Sequence, residues 1–135
     1  MSTSDTNIVN RTVQSVFESI QHEAVKQDHW NGWINHRPLQ IYIRLTDRYL
    51  SGKAHRTLDI ANISVDPRYQ NKGIFSGLLD KLEEAKLRNV LYIENVLATS
   101  DENQIRLRRF LERRGFVYYG SKNELMSMVK FLGEE

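Results

Sequence analysis

The stretch Ile60-Ala61-Asn62-Ile63-Ser64-Val65-Asp66-Pro67-Arg68-Tyr69-Gln70-Asn71-Lys72-Gly73-Ile74-Phe75-Ser76-Gly77-Leu78-Leu79 decides the fold. Its first part is β-rich and stops at Pro67, which has no ladder donor to offer. Its last part is helical: Ile74, Phe75, Leu78, Leu79, Leu82 and Ala85 fall on one side of a helix over 74–88. Between them runs a short polar, basic loop. In physical terms a strand, such a loop and a helix start make an anion site. The first helical turn presents unpaired N–H groups and the positive end of the dipole. Gly73 lets a ligand approach the backbone, and Arg68 and Lys72 add charge. The phosphate-loop spacing G-x-x-x-x-G-K-[ST] is absent, and so is G-x-G-x-x-G.

Working outward, residues 1–7 are polar and are expected to be frayed. Val9, Val13, Val16, Phe17, Ile20 and Ala24 form one apolar stripe of a helix from Ile8. Residues 28–38 hold both tryptophans and read as a loop, because Gly32, Pro38 and several Asn or Asp residues break any period. Leu39 to Leu45 alternate as a half-buried strand that extends toward Leu50, and 51–53 form a turn. From Thr57 to Val65, Leu58, Ile60, Ile63 and Val65 read as apolar on both faces, the mark of a central strand. Val90–Ile93 is a short strand, and 101–114 is a second amphipathic helix closed by Gly115. Residues 116–119 and 125–131 pair as a last hairpin. The order predicts a mixed α/β domain with a mostly antiparallel sheet.

The chain has 135 residues, one domain's worth, so 1–135 is taken as a single domain. Hydrophobic residues make up 40% and charged residues 27%, the balance of a soluble globular protein. Nineteen Lys+Arg against 17 Asp+Glu leave a net charge of +2, too weak to argue for nucleic acid. The count of zero cysteines excludes disulfides, Cys-ligated zinc and thiol catalysis. No basic leader with an apolar run opens the chain, and no stretch is long enough to span a membrane. A cytoplasmic location is expected.

Gln70-Asn71-Lys72-Gly73-Ile74, after a strand ending Val65-Asp66-Pro67, resembles motif A of the GNAT superfamily of acyl-CoA-dependent N-acetyltransferases. That motif reads [Gln/Arg]-x-x-Gly-x-[Gly/Ala], and here the third anchor is Phe75 instead of a small residue. A second block is also similar: the strand Leu91-Tyr92-Ile93-Glu94, a helix, then Arg114-Gly115-Phe116. The family's Asn slot holds Gln104 with Asn103 beside it, and its Tyr slot holds Leu111. The resemblance covers roughly residues 39–130.

The resemblance implies a GNAT fold whose splayed central strands bind acetyl-CoA as co-substrate, with no metal. It implies cofactor contacts at Ile63, Ser64, Val65, Gln70, Asn71, Lys72, Gly73, Ile74, Phe75, Ser76 and Asn103. An amine would attack the thioester directly in a ternary complex. That step needs a neutral amine, oxyanion stabilisation and a proton for the thiolate. The candidate bases are Glu94, at the end of the 90–93 strand, and Asp59, a carboxylate set among Leu58 and Ile60. A base matters most for a Lys side chain, neutral in only about one part in 10³ at pH 7.4, and less for an α-amine. Leu111 cannot act as the acid. Tyr118, Tyr119, Tyr92 or Ser100 could replace it, and Tyr118 is carried as the candidate.

The arginines from Arg106 to Arg114 could meet the coenzyme's 3′-phosphate, an RNA or an acidic acceptor, or simply form a solvated face. Trp30 and Trp33 either wall an acceptor pocket or cover the core, and His29 and His36 lack a third metal ligand. The reading is an N-acetyltransferase acting on a primary amine of a small molecule or protein. Its acceptor selectivity would come from residues 28–38 or from a second subunit of a homodimer. The alternatives are a catalytically weak acyl-CoA-binding protein of the same fold and a small nucleic-acid-binding module built on the Arg106–Arg114 helix.

Overall fold

The computed structural model describes residues 2–94, 102–120 and 127–133, with the side chains of 102–104 left aside. Helix α1 (Thr3–Lys26) leads into β1 (Trp30–His36), β2 (Leu39–Leu50) and β3 (Lys53–Val65). A single 3-10 turn at Pro67–Tyr69 follows, then α2 (Ile74–Ala85), β4 (Val90–Ile93) and α3 (Glu102–Arg113). The chain ends in β5 (Val117–Tyr119) and β6 (Ser127–Phe131). Among the described residues the strands form one sheet in the order β1-β2-β3-β4-β6-β5. Every neighbouring pair is antiparallel except β3–β4. The expected mixed α/β class with a mostly antiparallel sheet is the one the chain adopts.

Two segments differ from the sequence reading. The polar start, expected to be frayed, is helical from Thr3, and the Ser2 hydroxyl accepts the Asp5 N–H at 3.1 Å as an N-cap. Trp30–His36, expected to be a loop, is an edge strand in register with β2 from Trp30↔Leu45 to His36↔Leu39. Gly32 is the reason. A Cβ there would stand 2.8 Å from the Trp30 ring, so the glycine seats the indole and does not break the strand.

All three helices pack on one face of the sheet. Val13, Val16 and Ile20 of α1, Leu78 and Leu82 of α2 and Leu111 of α3 share a core with Ile41, Ile43, Leu58, Ile60 and Ile93. Arg88 fixes the far end of α1, donating to the carbonyls of Ala24 and Gln27 at 3.2 and 2.8 Å. The opposite face holds a smaller cluster of Leu50, Val90, Tyr92 and Val129.

One irregularity in β3 positions the site. Tyr42 pairs with Asn62 but Ile43 pairs with Ile60, which leaves Ala61 over as a β-bulge. The bulge shifts the alternation by one. Leu58 and Ile60 before it, and Ile63 and Val65 after it, therefore all face the helices. The apolar residues that read as two-sided are one-sided, split by an inserted residue.

Candidate functional site

The two central strands run together only briefly. β3 pairs with β4 from Thr57↔Val90 to Ile60↔Ile93, and the Glu94 N–H donates to the Ile60 carbonyl at 3.1 Å. Beyond Ile60, β3 continues to Val65 paired with β2 alone among the described residues. Among the described residues, 61–65 thus present an open backbone edge, beginning at the bulge.

That edge opens onto a cleft of about 500 Å³ between the end of β3, the loop after it, α2 and α3. Ile63 and Val65 line its sheet side. Gln70, Asn71 and Gly73 line the loop side, and the Gln70 amide is tied back to the Val65 carbonyl at 3.0 Å. Asn71 and Gly73 are left-handed at φ 60° and 91°, which turns the loop sharply into α2. The first bond inside α2 runs from Gly77 N–H to the Gly73 carbonyl at 2.9 Å. The amides of Ile74, Phe75 and Ser76 therefore take no part in the helical ladder and are free for an anion.

Not every expected contact faces this cleft. Ser64 points to the other side of the sheet, into a hollow with Arg37 and Gln40. Lys72 and Arg68 reach instead toward Asp5 of α1, at 3.8 and 3.7 Å. The Ser76 hydroxyl donates to the Gly73 carbonyl at 3.3 Å. Phe75 enters the cleft wall and meets the Phe110 ring at 5.9 Å between centroids. The side chain of Asn103 and the whole of Ser100 lie outside the described residues.

The two candidate bases are parts of one network. Asp59 is wholly buried on the face opposite the helices. Its Oδ1 accepts from Thr57 at 2.7 Å and its Oδ2 from Arg48 Nε at 2.9 Å. Burial raises its pKa above the ordinary carboxylate value, and the Arg48 and Thr57 bonds oppose that rise. Arg48 also donates to Glu94 Oε1 at 2.6 Å, and Arg44 donates to the same oxygen. Arg48 lies flat over Tyr92, 3.9 Å from the ring centroid. Glu94 keeps 17% of its side chain exposed where Asp59 keeps none, so Glu94 is the carboxylate a ligand can reach. Arg44 and Arg48 are absent from the sequence-derived site. The signal for them is their spacing of four on β2, opposite a buried aspartate that requires partners.

Tyr118 sits elsewhere. It lies in the cross-strand row Ile60, Ile93, Met128, Tyr118, three strand spacings or about 14 Å from β3. Its hydroxyl donates to Glu112 at 2.9 Å; desolvation and that bond raise its pKa. Leu111, in the family's Tyr slot, is fully buried in the core. The tryptophans divide: Trp30 packs against the core, while Trp33 is exposed on the opposite face and meets Tyr42 edge-on. His29 pairs with Asp47 and His36 with Ser19, and no metal-binding group of three is found among the described residues.

The bulged strand with its open edge, the left-handed loop and the start of α2 thus bring backbone donors together along one cleft. A profile of the Acetyltransferase (GNAT) family matches residues 18–116, and the chain belongs to that family of acyltransferases. Among solved structures, a GNAT-family protein from Desulfovibrio desulfuricans aligns at 18% identity and TM-score 0.51, covering 98% of this chain and 95% of that one. A GNAT acetyltransferase from Staphylococcus aureus aligns at 16% identity and TM-score 0.49, covering 98% and 96%. A mutant AtaT toxin, solved with the C-terminus of the antitoxin AtaR and acetyl-CoA, aligns at 15% identity and TM-score 0.49. That alignment covers 70% of this chain, which spans only 58% of the toxin's length. No curated protein sequence matches the chain. No helix among the described residues is long and apolar enough to cross a membrane.

Proposed function

We propose that this protein transfers an acetyl group from acetyl-CoA to a primary amine in a ternary complex. One observation carries the reading: the open edge of residues 61–65 begins at the bulge and leads directly to the loop amides of 73–76. A coenzyme with an amide-rich arm and a pyrophosphate fits that sequence of donors. Ile63 and Val65 would flank the arm, and Gln70, Asn71, Gly73, Ile74 and Phe75 would wrap the pyrophosphate. Ser64 would contribute its backbone only. Lys72 and Ser76 would support the loop, Lys72 through Asp5 and Ser76 through Gly73. When bound, acetyl-CoA supplies the activated acetyl thioester.

The chain's own groups then have three tasks. Backbone N–H groups of the 61–65 edge stabilise charge on the acyl oxygen. Glu94, beside the last β3–β4 pair, takes the proton from the amine. Asp59 acts through Arg48, which it anchors beneath Glu94, and so is a positioning residue. Tyr118 is given no proton-transfer role, and water protonates the thiolate. The amine enters over the sheet face opposite the helices, where Trp33 and Tyr42 line up with Asn62 next to the bulge. The buried Leu111 keeps the weakly catalytic binder as the second reading.

Two measurements test this. Acetyl-CoA should raise the melting temperature, and thiol release with a panel of amines should separate an enzyme from a binder. No shift with acetyl-CoA sinks both readings; a shift without turnover on any amine selects the binder. Within the enzyme reading, Glu94→Gln should cost about 10²-fold at pH 7. The loss should be smaller at pH 9, where more of the amine is already neutral.

A further inference from the structure

Among the described residues the sheet has two edge strands, β1 and β5. An edge strand shows a row of unpaired N–H and C=O groups, and proteins blunt it with charge, proline, a bulge or short length. β5 has three residues. β1 has seven, Trp30–His36, with no Lys, Arg, Asp, Glu or Pro among them. Its pairing with β2 runs unbroken from end to end, so no bulge turns it away. Asn31, Trp33 and Asn35 stand exposed on the face opposite the helices, and Trp33 is 56% exposed. Tryptophan is among the side chains that dominate protein interfaces.

Charge sits at the two ends of β1 instead, with opposite signs. Before the strand, Asp28 and Asp47 line one hollow, and their carboxylates outnumber the single guanidinium there, Arg56. After it, Arg11 and Arg37 line another hollow, which has no carboxylate in its wall. We propose that β1 pairs antiparallel with β1 of a second copy of this chain, about a two-fold axis at Trp33. The two sheets then run on as one. Trp33 meets the partner's Trp33 as an aromatic pair, and Asn31 meets the partner's Asn35 amide to amide. Each acidic end lies beside the partner's basic end, twice by symmetry. An antiparallel copy satisfies the ladder and both charged ends together, which is why it, and not a foreign strand, is the assigned occupant. The rows Trp33, Tyr42, Asn62 of the two copies join into one. The inference does not depend on the acetyl-CoA reading, and neither falls with the other.

The test is sedimentation equilibrium on the full chain. It should give a particle of twice 15.9 kDa that dissociates in the micromolar range, more readily at high salt. Asn31→Asp/Asn35→Asp sets like charges opposite each other at two places and should leave the monomer. Both side chains are exposed, and the first change keeps an oxygen to accept from the Tyr42 hydroxyl, so the circular-dichroism spectrum should be retained. Asn31→Asp/Asn35→Lys sets opposite charges in the same two places and should restore the dimer, which a damaged fold would not do. A chain that stays monomeric at every concentration overturns the proposal and leaves the edge to a strand of another protein. A dimer that survives the double aspartate variant overturns it too, because that dimer uses another surface. Loss of the dimer in both variants overturns the two-fold register at Trp33.

Discussion

The two halves of β3 differ although one strand makes both. From Thr57 to Ile60 it is hydrogen-bonded on both sides and every side chain is buried. From Ala61 to Val65 it keeps β2 alone among the described residues, and its side chains alternate between half-buried and exposed. The change occurs at a single inserted residue, Ala61. A bulge bends its strand and strengthens the twist, which parts β3 from β4. The first half thus sets the register of the sheet, and the second is free to pair with something that is not protein. Pairing potential that folding leaves unused is what a ligand can take up.

The closed half should fail hardest when its charges are broken. Arg48 holds Asp59 and Glu94 at once. Arg48→Met keeps most of the stem over Tyr92 but strands a wholly buried carboxylate. That should cost about 3–5 kcal/mol in chemical denaturation. A loss under 1 kcal/mol would mean that Arg44, 3.7 Å from Asp59, suffices alone, and the network would not be the closed half's anchor.

A sharper contrast uses one side chain twice. Ile60 and Ile63 face the same core from either side of the bulge. Ile60→Ala empties a fully enclosed site and should cost about 3 kcal/mol, with acetyl-CoA affinity measured on the folded protein little changed. Ile63→Ala removes a half-buried side chain from the cleft wall and should cost about 1 kcal/mol, while weakening acetyl-CoA severalfold. Denaturation curves and calorimetry on the two variants decide it. Matching profiles would dissolve the distinction between the halves.

Much of this was legible from local chemistry. Pro67 ends the strand, Gly73 opens α2 and Gly115 closes α3 at φ 92°, each as its residue type demands. The splay was legible only through the family resemblance. Its own trace in the sequence, apolar residues at 58 and 60 and then at 63 and 65, looks like two-sided burial until the bulge is known. The start of α1 was misread because Ser2 and Asp5 look like tail residues, whereas one is an N-cap and the other faces Lys72 and Arg68. The network around Asp59 joins residues 11 and 46 positions apart through Arg48. Non-local pairing of that kind leaves no periodic mark. A buried aspartate announces that partners exist but not which ones.

The smallest predicted effect concerns how the closed half responds to pH. Burial raises the Asp59 pKa above its ordinary 3.8, so the folded chain holds that proton where the unfolded chain has released it. The stabilising contribution of this group is therefore complete below about 3.8 and is lost as pH rises through the raised folded value. Asp59→Asn removes the titration and can still accept from Arg48 through its amide oxygen. The melting-temperature difference, variant minus original, should accordingly climb as pH increases from about 4 and level off once Asp59 is ionised. Other carboxylates titrate in the same range, but they do so in both proteins and cancel. A flat difference would show that the Arg48 and Thr57 bonds fully offset the burial, making Asp59 as easily ionised in its closed half as a carboxylate in water. The closed half would then hold its charge at no cost, and the two halves would differ in pairing alone.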